Sequence, residues 1–125
     1  MLADRNVQAT IAVKDLKAAK QFYGDTLGLE PEGNGDAEVQ VYRSGNSRVV
    51  VYRSQYAGTN QATAATWDLG NELERVVNDL KHRGVSFEHY DLPGLTRKGD
   101  LHVAGDFKAA WFKDPDGNIM AISSS

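Results

Sequence analysis

Three histidines, a glutamate beside one of them and a D-x-D-x-N run are the parts of this chain whose residue types could carry chemistry. Histidine is the usual acid, base or metal ligand near neutral pH. His82 lies in Lys81-His82-Arg83-Gly84, a pattern that reads as the solvent-facing end of a helix. His89 lies in Glu88-His89-Tyr90-Asp91, where strand alternation puts Glu88 and Tyr90 on one face and His89 on the other. That arrangement is either an acid-base pair awaiting a partner or an outward polar strand face. His102 falls in LTRKGDLHVAGDF, a polar, glycine-rich connection of the kind that covers a site as a lid. Glu88, His89 and His102 are therefore the available general bases for a metal-free isomerisation, acting on an acidic C–H or an epoxide. The chain has no cysteine, which removes disulfides, thiolate metal sites and a thiol nucleophile.

The D-x-D-x-N run, DPDGN, opens like a calcium loop. The twelfth position is Ser125 where a bidentate glutamate is required, and an apolar strand pattern follows instead of a helix. A turn accounts for it better: Pro115 presets φ, Asp116 and Asn118 bond locally, and Gly117 takes a positive φ.

The elements that must position these residues follow from composition and periodicity. With 125 residues, 41% of them hydrophobic and 25% charged, the chain fits one compact domain. A net charge of −3 without a Lys/Arg block gives no footprint for nucleic acid or an anionic membrane. Charged residues interrupt the N-terminal apolar runs, so neither a signal core nor a membrane span is read there, and the expected compartment is the cytoplasm.

Val7, Ala9, Ile11 and Val13 alternate as a strand, and Asp15 can cap a helix carrying Leu16, Ala19, Phe22 and Tyr23 until Gly24 and Gly28 close it. EPEGNGDAE reads as an acidic connector, with no helix behind it to aim at a phosphate. VQVYRSGNSRVVVYRS reads as two strands around Ser44-Gly45-Asn46. The order then recurs. An extended run, residues 62–69, leads to Asn71-Glu72-Leu73-Glu74, a capping box opening a helix that buries Leu73, Val76, Val77 and Leu80. VSFEHYD is a strand, and AAWFKDPDGNIMAIS is a hairpin.

Strand, helix and hairpin thus occur twice, the second time with VSFEHYD as a further strand, in halves of about residues 6–54 and 62–123. Two offsets support a duplication. One aligns Ala9-Thr10-Ile11 with Ala65-Thr66-Trp67 and pairs Gln8 with Ala64. The other overlays residues 41–52 on 111–122 without a gap and pairs Val51 with Ala121.

Laid out this way, the chain resembles the vicinal oxygen chelate superfamily of glyoxalase I, bleomycin-resistance proteins and extradiol dioxygenases. The resemblance rests on ATIAVKDLKAAKQFYGDTLGLEP and AAWFKDPDGNIMAI and covers about residues 6–123. It implies an α+β fold of two tandem βαβββ modules forming a cupped, mixed eight-stranded sheet, in a homodimer, with the ligand in the cup. It also implies, for the family's enzymes, a divalent metal on four side chains, one from the first and one from the last strand of each module. Those positions here are Gln8, Val51, Ala64 and Ala121. From Gln40 through Trp67 the chain has no Asp, Glu, His or Cys, so moving the alignment by a residue or two supplies no strong ligand on the central strands.

No metal and no cofactor are therefore expected. The expected function is metal-independent binding of a small organic molecule, one version being sequestration of a toxic natural product. Gln8, Thr10 and Thr66 would supply hydrogen bonds, Val51, Ala64 and Ala121 would make room, and Trp111 or Tyr56 would stack. Small apolar strand residues are equally the ordinary content of a core. Alternation requires one of Trp111 and Phe112 to face the cup and leaves open which. The uncharged stretch of residues 54–66 is either a plain linker or a polar rim built from Tyr56, Asn60 and Gln61. The alternative function is a glyoxalase-like or dioxygenase-like lyase or oxidoreductase, or the metal-free isomerase above. A dimer surface acting as an interaction module is the third reading, for which periodicity offers no apolar patch.

Overall fold

The computed structural model describes residues 1–124; Ser125, the twelfth position of the rejected calcium loop, lies outside them. The chain divides into two compact units, the first Met1–Thr59 and the second beginning at Asn60. Among the described residues no helix is long and apolar enough to cross a membrane.

The first unit begins with strand β1, Ala9–Val13. Asp15 caps the helix that follows, its carboxylate accepting from the Lys17 N–H at 2.9 Å. Helix α1, Leu16–Ala19, runs on as a π-helical stretch, Lys20–Thr26. Gly24 therefore lies inside the helical segment and does not end it, contrary to its sequence reading; closure falls at Gly28.

Strand β2, Glu30–Glu32, pairs antiparallel with β3, Val39–Ser44, which pairs with β4, Ser47–Arg53. The expected connector thus contains a short edge strand, which completes the βαβββ order. Pro31 is accommodated there because an edge strand can leave one N–H side unused. Opposite charges stand across the strands: Arg48 contacts both oxygens of Glu32, at 2.7 and 3.0 Å. The sheet order is β1-β4-β3-β2, with β1 parallel to β4. Ile11, Val13, Tyr42, Val49 and Val51 are buried with Ala19 and Tyr23 of the helical segment, and the Tyr23 and Tyr42 rings lie 6.1 Å apart.

In the second unit, strand β5 is Thr63–Asp68 and helix α2 is Leu73–His82. The expected capping box at Asn71 does not form. A 3-10 turn, Gly70–Glu72, enters the helix instead, and Glu72 is taken up by Arg75 at 2.7 Å. The far end closes as anticipated around Gly84: its N–H donates to the Lys81 carbonyl at 3.1 Å and that of Val85 to Leu80 at 3.0 Å, the paired bonds of a Schellman motif. Leu73, Val77 and Leu80 are buried, while Val76 is half-buried.

Of VSFEHYD only β6, Phe87–Glu88, is a strand. The expected lid connection is largely sheet: β7, Thr96–Lys98, and β8, Leu101–Ala104, form a hairpin that continues into β9, Phe107–Lys113. Gly99-Asp100 and Gly105-Asp106 are the two-residue turns, with glycine φ of 64° and 60°, the conformation that tight hairpins demand. Strand β10, Ile119–Ser124, lies between β9 and β5. The path is β5-β10-β9-β8-β7, with β6 also on β9. The structure is α+β, with four strands in the first sheet and six in the second, the β7–β8 hairpin being the addition to the βαβββ plan.

Candidate functional site

Register fixes which residues share a face. Phe112 stands opposite Met120, Ala110 opposite Ile122, and Phe87 opposite Phe112. Met120, Ile122, Phe112 and Ala110 are buried, as are Leu73, Val77 and Leu80 of α2, and this side of the sheet is the one the helix covers. Trp111 stands opposite both Ala121 and Glu88, Ala121 opposite Thr66, and His102 opposite Ala109. This second set forms the opposite face, the one that carries a pocket, and on it Ala109, Ala121 and His102 are buried as well. Trp111 therefore lies on the pocket side and Phe112 on the helix side, which decides the alternative left by alternation.

On the pocket face three rings gather. Tyr90 and His102 meet Trp111 edge-on, at centroid distances of 5.6 and 4.8 Å. The indole Nε1 donates to Thr63 Oγ1 at 3.1 Å. Beside them opens a pocket of about 320 Å³, lined by Trp111, Tyr90, Leu92, Ile119, Thr63 and Gln61, with Ala62. The pocket is mainly apolar with a few polar groups at its edge, the composition of a small-molecule site. The Tyr90 hydroxyl is closed to water and has no hydrogen-bond partner, a condition that typically costs about 1–3 kcal/mol.

The expected site residues fall unevenly around this pocket. Trp111 lines it; Thr66 and Ala121 share its sheet face. Ala64 is exposed and sits where the β5 register slips between the Ile119–Thr63 and Met120–Ala65 pairs, so Thr63 takes the lining role. In the first unit Gln8 and Thr10 are exposed ahead of and within β1, and Gln8 lines a separate cavity of about 500 Å³ with Arg5, Asn46 and Arg48. Tyr56 is exposed, in the turn after β4.

Val51 is fully buried on the helix-facing side of its sheet. The gapless offset fails there for a countable reason. At this offset Arg43 matches Lys113, but Arg43 pairs with Arg48 across four residues, Ser44 to Ser47, whereas Lys113 pairs with Ile119 across five, Asp114 to Asn118. That difference makes Val50, paired with Thr10, the counterpart of Ala121, paired with Thr66. One residue of slip exchanges faces, so Val51 is corrected to Val50. Gln61, proposed as rim, does line the pocket; Thr63, Tyr90, Leu92 and Ile119 were missed.

The general-base candidates are all engaged. Glu88 pairs with Lys113 at 3.5 Å. His102 is fully buried, not part of a mobile cover: its Nε2 accepts from the Tyr90 N–H at 2.9 Å, and Nδ1 faces the Ala109 carbonyl at 3.4 Å. Its acceptor nitrogen is thus already used. His82 Nδ1 lies 2.8 Å from the Asn78 carbonyl at the helix end.

His89 Nε2 and Lys81 Nζ both contact Asp100, at 2.9 and 2.8 Å, and Arg97 donates toward His89 Nδ1 at 3.3 Å. The hydrogen bond from Lys81, then that from His89, holds the Asp100 carboxyl below its ordinary value of 3.8. A carboxylate favoured in the fold contributes stability above the unfolded value, and the contribution is lost as pH falls through the lowered one. Asp100→Asn is expected to flatten the acid-side loss of protection of the β7–β8 amides below about pH 4, with little change near neutrality. Hydrogen exchange followed against pH checks it; an unchanged acid slope counts against the pairing.

A divalent metal is what the resemblance would bring to the strand positions carrying Gln8, Val50, Ala64 and Ala121. One amide and three aliphatic side chains do not make a donor set for it. Among the described residues no group of three or more His, Cys, Asp or Glu gathers that could hold a metal ion.

A protein of two α+β modules, each with a helix on one side of a mixed sheet, is the class this fold defines. The chain belongs to the Glyoxalase/Bleomycin resistance protein/Dioxygenase superfamily, whose family model matches residues 5–122. No curated protein matches it at a significant level. Among solved structures it is similar to lactoylglutathione lyase from Agrobacterium tumefaciens, at 15% identity and TM-score 0.73, over 100% of this chain and 96% of that one. It is similar to a genomically encoded fosfomycin resistance protein from Listeria monocytogenes, complexed with Mn(II) and sulfate, at 13% identity and TM-score 0.73, covering 100% and 92%. An integron cassette protein from the mobile metagenome of a Halifax Harbour sewage outfall matches at 19% identity and TM-score 0.73, over 98% and 99%.

Proposed function

We propose that this protein binds a small, partly apolar organic molecule against Trp111 without the help of a divalent metal, and that sequestration of a toxic natural product is the concrete form of this activity. The observation carrying the reading is the pocket of about 320 Å³ walled by Trp111, Tyr90, Leu92 and Ile119, on a sheet face whose last strand offers Ala121 where a metal-binding relative would need a carboxylate. Binding rests on aromatic contact and burial, with Gln61, Thr63 and Thr66 as polar contacts and Gln8 and Thr10 as polar groups of the first unit's own face. The fosfomycin resistance protein of the same fold supports resistance as the setting. Cytoplasmic residence and a homodimer belong to the same proposal.

Calorimetric titration with a panel of natural products tests it, on protein purified without chelator and again after EDTA. We expect at least one compound to bind equally under both conditions, with no stoichiometric metal by elemental analysis. Stoichiometric zinc, nickel, iron or manganese, or binding abolished by EDTA, overturns metal independence; failure of every compound overturns the binding role.

A further inference from the structure

Among the described residues, one buried side-chain polar atom has no hydrogen-bond partner, and it belongs to a residue of the pocket wall. Trp111 Nε1 is committed to Thr63, and His102 is committed to the Tyr90 N–H and faces the Ala109 carbonyl. The Tyr90 hydroxyl, closed to water, has no partner. A buried hydroxyl without a partner is unfavourable, and such exceptions mark places where something else completes the bond.

The backbone and the ring of Tyr90 are held differently. Its N–H is pinned to the His102 ring at 2.9 Å, in a segment after β6 that has no strand pairing. The ring is held by edge contact on Trp111 and a tilted contact on His102, with centroids 5.6 and 6.1 Å away. The side chain can therefore swing about a fixed backbone without breaking a hydrogen bond of its own. Burial pushes the Tyr90 hydroxyl pKa up, Glu88 adds to the rise and Lys113 opposes it, so the group remains a neutral donor at physiological pH.

Resting on the binding role proposed above, we propose that Tyr90 determines the pocket's specificity: on ligand entry its ring swings from Trp111 and its hydroxyl donates to an acceptor oxygen of a flat aromatic ligand whose own ring takes the vacated indole surface. The substrate class is a planar molecule of one or two fused rings bearing a carbonyl or carboxylate oxygen, the size that a pocket of about 320 Å³ admits.

The test uses a Trp67→Phe background, which leaves Trp111 as the single tryptophan of the two. Coumarin, 4-chromanone and 2-naphthoate are titrated against 2H-chromene, chromane and naphthalene, which lack the carbonyl or carboxylate, with affinity by calorimetry and Trp111 emission as the reporter of the swing. Acceptor-bearing compounds are expected to bind at least tenfold tighter and to shift the emission. Tyr90→Phe is expected to erase that preference and to keep or raise Tm, because it deletes an unpaired hydroxyl. A preference that survives Tyr90→Phe overturns the inference while the pocket stands. So does a lowered Tm, which would mean the hydroxyl is bonded in the free protein. Binding of aliphatic natural products but of no aromatic probe also overturns it; no binding by any compound in either panel removes the underlying role instead.

Discussion

Trp111→Ala is expected to weaken binding of any ligand the pocket accepts by about 30- to 100-fold, corresponding to about 2–3 kcal/mol of lost aromatic burial and edge contact. Trp111→Phe keeps a ring on the same wall and is expected to lose far less, though it gives up the bond to Thr63. The matched control is one residue along the strand. Phe112 is buried on the helix-facing side, so Phe112→Leu is expected to lower stability by about 1 kcal/mol and leave affinity alone. Calorimetry and urea denaturation separate the two effects. Equal affinities for wild type and Trp111→Ala would remove this wall from the site.

Neighbouring residues with opposite fates show how far the sequence could be read. Period-2 alternation was enough to state that Trp111 and Phe112 face opposite ways, because that follows from the strand backbone alone. Which one meets the helix depends on pairing with Ala121 and Met120, a tertiary fact. The duplicated order was legible from Ala9-Thr10-Ile11 and Ala65-Thr66-Trp67, and the Thr10–Val50 and Thr66–Ala121 pairs obey that offset. The second offset breaks at a turn, since five residues between Lys113 and Ile119 replace the four between Arg43 and Arg48, and a gapless overlay carries that one-residue error into every later position.

The β7–β8 hairpin escaped notice because its strands are three and four residues long and its outer one is charged, as edge strands tend to be. A signal was nonetheless present: Gly99-Asp100 and Gly105-Asp106 have the dipeptide form of two-residue turns. No such signal exists for His102 or Tyr90. The burial of one and the unpaired hydroxyl of the other arise where the chain leaves β6 and crosses to the histidine ring, a contact between residues twelve apart that no local pattern encodes.

The DPDGN turn is where the second large effect is expected, and it rests on the first aspartate of the run, Asp114. Asp114 is almost fully buried. Its carboxylate accepts from the Asp116 N–H at 3.0 Å, the Asn118 N–H at 2.8 Å and the Asn118 side-chain amide at 2.8 Å. Its own backbone closes the turn, the N–H donating to the Asn118 carbonyl at 2.9 Å while its carbonyl accepts from Gly117 at 3.0 Å. Asp114→Ala removes the acceptor of three bonds at once and leaves buried donors behind, for an expected loss of about 3 kcal/mol. Asp114→Asn should lose less, because it retains one oxygen for the backbone donors while its amide group opposes that of Asn118. This turn sets the register that puts Ala121 beside Trp111, so Asp114→Ala is also expected to weaken ligand binding, whereas destabilisation elsewhere would not. Urea denaturation gives the first quantity and calorimetry on the folded fraction the second. Native stability in Asp114→Ala would mean that the glycine and proline of the turn hold the register without the carboxylate.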